Sequence, residues 1–142
     1  MKKFGVCVFC CTFASGEKIS IYMSRTGDFG EWGELVAIDY LKAQRYFVMD
    51  HDWQLDHKDL DIVAIDNETK EIVFVEVKTR SSTYFAQPEE AVDDEKIRNV
   101  KSAANAYIRF KKITRQARFD IITVVGTGDD DVTINHIKDA FY

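Results

Sequence analysis

Two strand-like runs separated by four polar residues constrain this chain most: KDLDIVAID (58–66), then NETK (67–70), then EIVFVEVKTR (71–80). Both runs are rich in Ile and Val and the connection is short, which predicts an antiparallel hairpin with strands over Asp59–Asp66 and Glu71–Thr79. If Asp66 pairs with Glu71, then Ile65 faces Ile72, Asp61 faces Glu76 and Asp59 faces Lys78. Directly opposed residues share a face, with Cβ atoms about 4.5–5.5 Å apart. In the second run, Glu76 and Lys78 stand on one face while Val75 and Val77 turn to the other. Two carboxylates and an ammonium therefore converge where the apolar part of the hairpin ends.

Like charges opposed across a sheet destabilise it, so the arrangement needs compensation. Three readings follow from the residues themselves. A divalent cation can bridge the carboxylates, since Mg²⁺ takes oxygen ligands and is usually held by one or two carboxylates together with waters and substrate phosphate. Lys78 would then orient a water towards phosphorus and stabilise the charge that develops. Alternatively, Lys78 neutralises the pair as a structural salt bridge, or the strands pair in another register.

The rest of the pattern places this hairpin in a larger sheet. Leu35, Val36, Ile38, Tyr40 and Leu41 fall at helical spacing within 30–45, and Tyr46–Leu55 reads as a strand. Pro88 stands where a helix commonly begins, and Ile97, Val100, Ala104, Tyr107 and Ile108 form an apolar stripe reaching about Phe110. Two further strands are expected over Arg118–Val125 and Val132–Ile137. Helix, three strands, helix, two strands is the order of an α/β sandwich, a mixed central β-sheet flanked by helices. The 142 residues, 46% of them hydrophobic, suit one compact domain. No apolar run approaches the roughly 20 residues that span a bilayer, so no membrane role is expected.

Residues 1–22, MKKFGVCVFCCTFASGEKISIY, differ from the remainder. Two lysines, an apolar run and small residues are signal-like. Met23 also offers a plausible start, making 1–22 an untranslated extension and 23–142 the single domain; a structured extension is the third reading. Cys7, Cys10 and Cys11 all lie here, and one Cys-x-x-Cys-Cys without a second ligand pair is weak evidence for zinc or redox chemistry.

A net charge of −5 argues against a polyanionic partner, but its distribution argues the other way. Lys96, Arg98, Lys101, Arg109, Lys111, Lys112, Arg115 and Arg118 follow one another with no carboxylate between them. That stripe suits either nucleic acid or a solvated helix face. His51, His57 and His136 are scattered, without the spacing of a metal-binding helix, and read as surface or partly buried residues. Gly126-Thr-Gly128 reads as a turn, lacking the Lys and Ser/Thr of a phosphate loop. Trp32 and Trp53 read as packing residues, whereas Tyr84 and Phe85 in a polar loop are candidates to stack on an unpaired base.

GEWGELVAIDYL (30–41), KDLDIVAID (58–66), FVEVKTR (74–80), QPEEAVDDEK (87–96), AANAYI (103–108), RFDII (118–122) and HIKDAFY (136–142) together resemble the bacterial YraN family of endonuclease-like proteins, itself similar to archaeal Holliday-junction resolvases. Several ordered blocks over residues 30–142 carry the likeness, with Asp61 and Glu76-Val77-Lys78 in the Asp…Glu-x-Lys pattern of restriction-endonuclease-like nucleases. The resemblance implies a restriction-endonuclease-like fold and a phosphodiesterase dependent on Mg²⁺ or Mn²⁺. It implies that Asp61, Glu76 and the backbone carbonyl of Val77 hold the metal, that Lys78 positions the attacking water, and that Glu34 reaches the metal through water. Arg80, Lys96 and Arg118, with Arg98 and Lys101 of the basic stripe, are the expected nucleic-acid contacts, and Gln87 helps shape the site. The chain departs from the family pattern at Asp59, where the family usually has Glu, so no direct role is assigned there. The expected partner is branched or structured DNA in the cytoplasm, cut by a homodimer, because one site per domain reaches one strand. The rival readings are a catalytically inactive nucleic-acid-binding module and an interaction subunit of a DNA-processing assembly.

Overall fold

A computed structural model describes residues 7–13, 18–23, 29–81, 93–126 and 132–142. In chain order the elements are β1 (Cys7–Phe13), β2 (Lys18–Met23), α1 (Phe29–Ala43), β3 (Tyr46–Leu55), β4 (Lys58–Asp66), β5 (Ile72–Arg80), α2 (Asp94–Lys111), β6 (Ala117–Val125) and β7 (Thr133–Phe141). The strands form one mixed sheet in the order β2-β1-β7-β6-β5-β4-β3. From residue 29 onward the order helix, three strands, helix, two strands is the one expected. The segment set apart as a leader contributes β1 and β2, which pair antiparallel, and β1 joins β7 in parallel through Thr12 and Phe13.

The hairpin forms in the expected register. The Asp66 N–H donates to the Glu71 carbonyl at 3.1 Å, and Ile65, Ala64, Val63 and Ile62 pair with Ile72, Val73, Phe74 and Val75. Its turn is built by Asp66, whose Oδ1 accepts from the N–H groups of Glu68 and Thr69 at 2.9 and 3.3 Å. Lys70 closes the loop in the left-handed region, at φ 65°.

β5 and β6 run parallel, so the chain must cross over between them, and α2 lies on that crossover. The side-chain period of two then divides the core. Val73, Val75, Ile122 and Val124 pack with Trp32, Val36, Ala37 and Leu41 of α1. Ile72, Phe74 and Ile121 turn the opposite way and pack with Val100, Ala103, Ala104 and Tyr107 of α2. The protein is thus an α/β restriction-endonuclease-like sandwich, a mixed sheet with one helix on each face.

Both helices end by local chemistry. Arg45, at φ 66°, turns the chain out of α1. Asp93 caps α2 by accepting from the Lys96 N–H at 2.8 Å, and Lys112, left-handed at φ 54°, ends it while Ile113 N–H reaches back to the Ile108 carbonyl at 3.0 Å. The expected start at Pro88 lies outside the described residues. Among the described residues no helix is long and apolar enough to cross a membrane.

Candidate active site

The β4–β5 ladder stops at Ile62 and Val75, one residue short of Asp61 and Glu76. The alternation of β4 breaks at the same point: Leu60 packs on the α2 side and Ile62 on the α1 side. Asp61 does not stand over the sheet as a simple cross-strand partner of Glu76. Its carboxylate turns into the gap between the strands, where Oδ2 accepts the Val77 N–H at 2.8 Å. The two carboxylates still meet electrostatically. Burial, followed by the charge of Glu76, pushes the Asp61 carboxyl up to about 7.

Glu76 and Lys78 follow Ile72 and Phe74 in the period of β5 and so belong to the α2 face. Glu76 is 4% exposed, and its Oε1 lies 3.0 Å from Lys78 Nζ. Lys96, in the first turn of α2, brings a second ammonium to the same oxygen at 3.3 Å and also reaches Asp59 Oδ2 at 3.5 Å. Asp59 was expected opposite Lys78; with the ladder ended, its described partner is Lys96. Burial works against the charge on Lys96, but Glu76, Asp59 and Asp61 outweigh it and hold the ammonium above its ordinary range.

Glu34, on α1, belongs to this field. Burial first, then Asp52, Glu31, Glu76 and Asp59, raises its carboxyl above the ordinary range. It lines an open groove of about 420 Å³ together with Glu31, Leu35, Ile38, His51 and Asp52. α1 can approach the sheet here because Gly33 has no side chain: a Cβ would lie 1.9 Å from Thr79 Oγ1.

The basic stripe does not form one surface. Arg98 is exposed and Lys101 half-buried on α2, and Arg80 is exposed at the end of β5. Lys111 pairs with Asp50 at 3.2 Å, and Arg115 donates to the Lys70 carbonyl at 2.9 Å. Arg118, expected as a nucleic-acid contact, is not on the site at all. It is paired with Val73 across β5–β6, alternates with Ile122 and Val124 on the α1 face, and is 8% exposed. Its guanidinium donates to Asp120 at 2.9 and 3.0 Å, Asp66 at 3.1 Å, Glu71 at 2.9 Å and Tyr46 at 2.9 Å. His136 completes this network with Nε2 2.8 Å from Asp120 Oδ2, while His51 and His57 are exposed. Burial opposes the charge on Asp66, but hydrogen bonds from Glu68 and Arg118 prevail and hold it down to about 2. Trp53 packs edge-on against Tyr107, as expected of a core residue. Gln87, Tyr84 and Phe85 lie outside the described residues, as do the cysteine side chains.

Among the described residues, no three His, Cys, Asp or Glu side chains form a ready metal cage. The donor set nevertheless fits Mg²⁺ or Mn²⁺, which need only one or two protein carboxylates. Burial and the neighbouring charge of Glu76 hold the Asp61 carboxyl above its ordinary range, a shift that a bound cation would oppose. In an extended strand the N–H and C=O of one residue point to the same side, so the Val77 carbonyl faces the gap its N–H occupies with Asp61.

The sandwich and the carboxylate pair at the mouth of its hairpin define a restriction-endonuclease-like domain. The family model described as "Uncharacterised protein family UPF0102" matches residues 33–124. A UPF0102 protein of Bacteroides thetaiotaomicron is 47% identical over 120 residues, 84% of this chain and 97% of the relative. One from Bacteroides fragilis is 48% identical over 114 residues, 80% of this chain and 91% of the relative. A third, from Syntrophomonas wolfei, is 38% identical over 115 residues, covering 80% and 97%. The chain belongs to the UPF0102, or YraN, family.

Proposed function

We propose that this protein is a divalent-metal-dependent endonuclease that hydrolyses phosphodiesters in branched or structured DNA. One observation carries the reading: Asp61 leaves its ladder to lie beside Glu76, raising its own carboxyl to about 7, on an edge that also presents Lys78 and Lys96. Asp61, Glu76 and the Val77 carbonyl would hold Mg²⁺ or Mn²⁺, with Glu34 acting through water. The ion would supply Lewis-acid charge at the scissile phosphate. Lys78, fixed by the backbone of β5, orients the attacking water and faces the charge that develops on phosphorus. Water adds to phosphorus, a bridging P–O bond breaks, and the leaving oxygen takes up a proton. Arg80, Lys96, Arg98 and Lys101 meet the phosphate backbone. A homodimer would present two such sites to two strands, and a cytoplasmic location is part of this reading.

One observation favours the alternative of a catalytically inactive nucleic-acid-binding module: Lys78 and Lys96 already neutralise Glu76 without a metal. Cleavage of labelled four-way junction, flap, single-stranded and duplex DNA with Mg²⁺ or Mn²⁺ separates the two. Cutting by the parent protein, lost in Glu76→Ala and Lys78→Ala proteins purified identically, is the expected result. DNA binding without cutting, unchanged in both variants, would establish the binding module instead.

A further inference from the structure

We propose that Lys96 is a displaceable counter-ion of this site, neutralising Glu76 when no divalent cation is bound and released from it to hold DNA phosphate when one is. The proposal rests on the metal-site reading above. Both ammonium groups near Glu76 use one oxygen, Oε1, with Lys78 at 3.0 Å and Lys96 at 3.3 Å. A cation ligated by that oxygen meets two like charges at contact distance, and at least one must give way.

The two lysines are not equally free to leave. Lys78 lies two residues from Glu76 on the same face of one strand, so β5 keeps its ammonium within reach of that carboxylate. Lys96 arrives from another element and has a second partner, Asp59, at 3.5 Å. Asp59 is 56% exposed and Glu76 5% at the side chain, so Lys96 bridges from the buried carboxylate to the surface. Keeping Asp59 while leaving Glu76 is a short outward swing.

Helix energetics point the same way. Asp94 and Glu95 suit the positive end of the α2 dipole, whereas a lysine three residues after the cap opposes it. The local sequence therefore does not favour a cation at 96; Glu76 and Asp59 hold it there. With Glu76 taken, the freed ammonium lies beside the scissile position and lacks its strongest partner, which a phosphate can supply. Metal and DNA binding are then coupled through Lys96, and linkage makes the coupling reciprocal.

The test reads metal affinity in the intact chain without DNA, by calorimetric titration with Mn²⁺. Lys96→Met is expected to bind Mn²⁺ about fivefold more tightly or better, the lower end of ordinary site–site coupling. Lys101→Met removes the same charge from the same helix without touching Glu76 and controls for the general field. Mn²⁺ should also raise the DNA affinity of the parent protein, and this increment should be smaller in Lys96→Met, which keeps only the part due to the ion itself. Acetylation by acetic anhydride, read by mass spectrometry, should label Lys96 faster once Mg²⁺ is added. Binding that Glu76→Ala abolishes but Lys96→Met leaves unchanged or weakens would overturn the displacement alone. The same holds if Lys101→Met tightens binding equally. No Mn²⁺ binding by the parent protein would overturn the metal site and this proposal together.

Discussion

Replacing Asp61 with Asn should stabilise the protein in the absence of divalent cations, although the residue is one of the proposed metal ligands. The Asp61 carboxyl, about 3.8 in an unfolded chain, is pushed to about 7 by burial and by Glu76. Between those values the folded protein holds a proton that the unfolded chain has lost, so unfolding releases it and rising pH favours unfolding. The Asp61 contribution is therefore absent below about pH 4, grows through the window to pH 7, and is complete above it. Roughly three pH units at 1.36 kcal/mol each set its ceiling on the order of 4 kcal/mol. Asn keeps an oxygen to accept the Val77 N–H and removes the charge beside Glu76. Urea unfolding of both proteins in EDTA from pH 4 to 8 measures this directly. The difference between them cancels groups such as Asp66, held down to about 2, whose contribution is lost only in stronger acid. Asp61→Asn should match the parent near pH 4 and exceed it by about 2–4 kcal/mol at pH 8, and Mg²⁺ should stabilise the parent alone. A variant less stable than the parent at pH 8, or a difference that does not change with pH, would refute the reasoning.

Arg118→Met should cost about 3–5 kcal/mol in the same assay, because it strands the buried carboxylates of Asp120 and Asp66; a loss confined to DNA affinity, with stability intact, would contradict its placement. Thr123→Val should stabilise by about 1 kcal/mol, since the Thr123 hydroxyl is buried without a hydrogen-bond partner among the described residues and Val has nearly its shape. Gly33→Ala should destabilise by about 1–3 kcal/mol through contact with Thr79, and Thr79→Ala should recover part of the loss by removing the nearest atom, Oγ1.

The fold was legible wherever the determining interactions are local. The hairpin register followed from a four-residue loop and two runs of Ile and Val, and Asp66 secures it by capping its own turn. Misreadings arose where distant partners decide. Arg118 reads as the last cation of a basic run when charges are counted along the chain, yet on the strand expected to begin there its side chain turns into the core rather than to the site. The near sign was Asp120 two residues on, sharing its face in a largely apolar strand. Tyr46, Asp66 and His136, which complete its surroundings, are brought there by the sheet alone. The contact of Lys96 with Glu76 was hidden for the same reason, since it depends on how α2 docks against β4 and β5.

The break at Asp61 explains why this end of the hairpin carries charge. Had the ladder continued, Asp61 and Glu76 would have been opposed at full pairing, the arrangement a sheet tolerates least. Ending it one residue earlier leaves the Val77 N–H without a β4 backbone partner, and the Asp61 carboxylate takes that place at 2.8 Å. The strands part just enough to seat two carboxylates in the mouth of an apolar hairpin, and the core on either side keeps them there. Val75 and Val77 hold β5 against α1, while Phe74 holds it against Tyr107 of α2. Charge on this edge is thus imposed by packing on both faces and stays close to neutral only while lysines, or a cation in their stead, stand beside it.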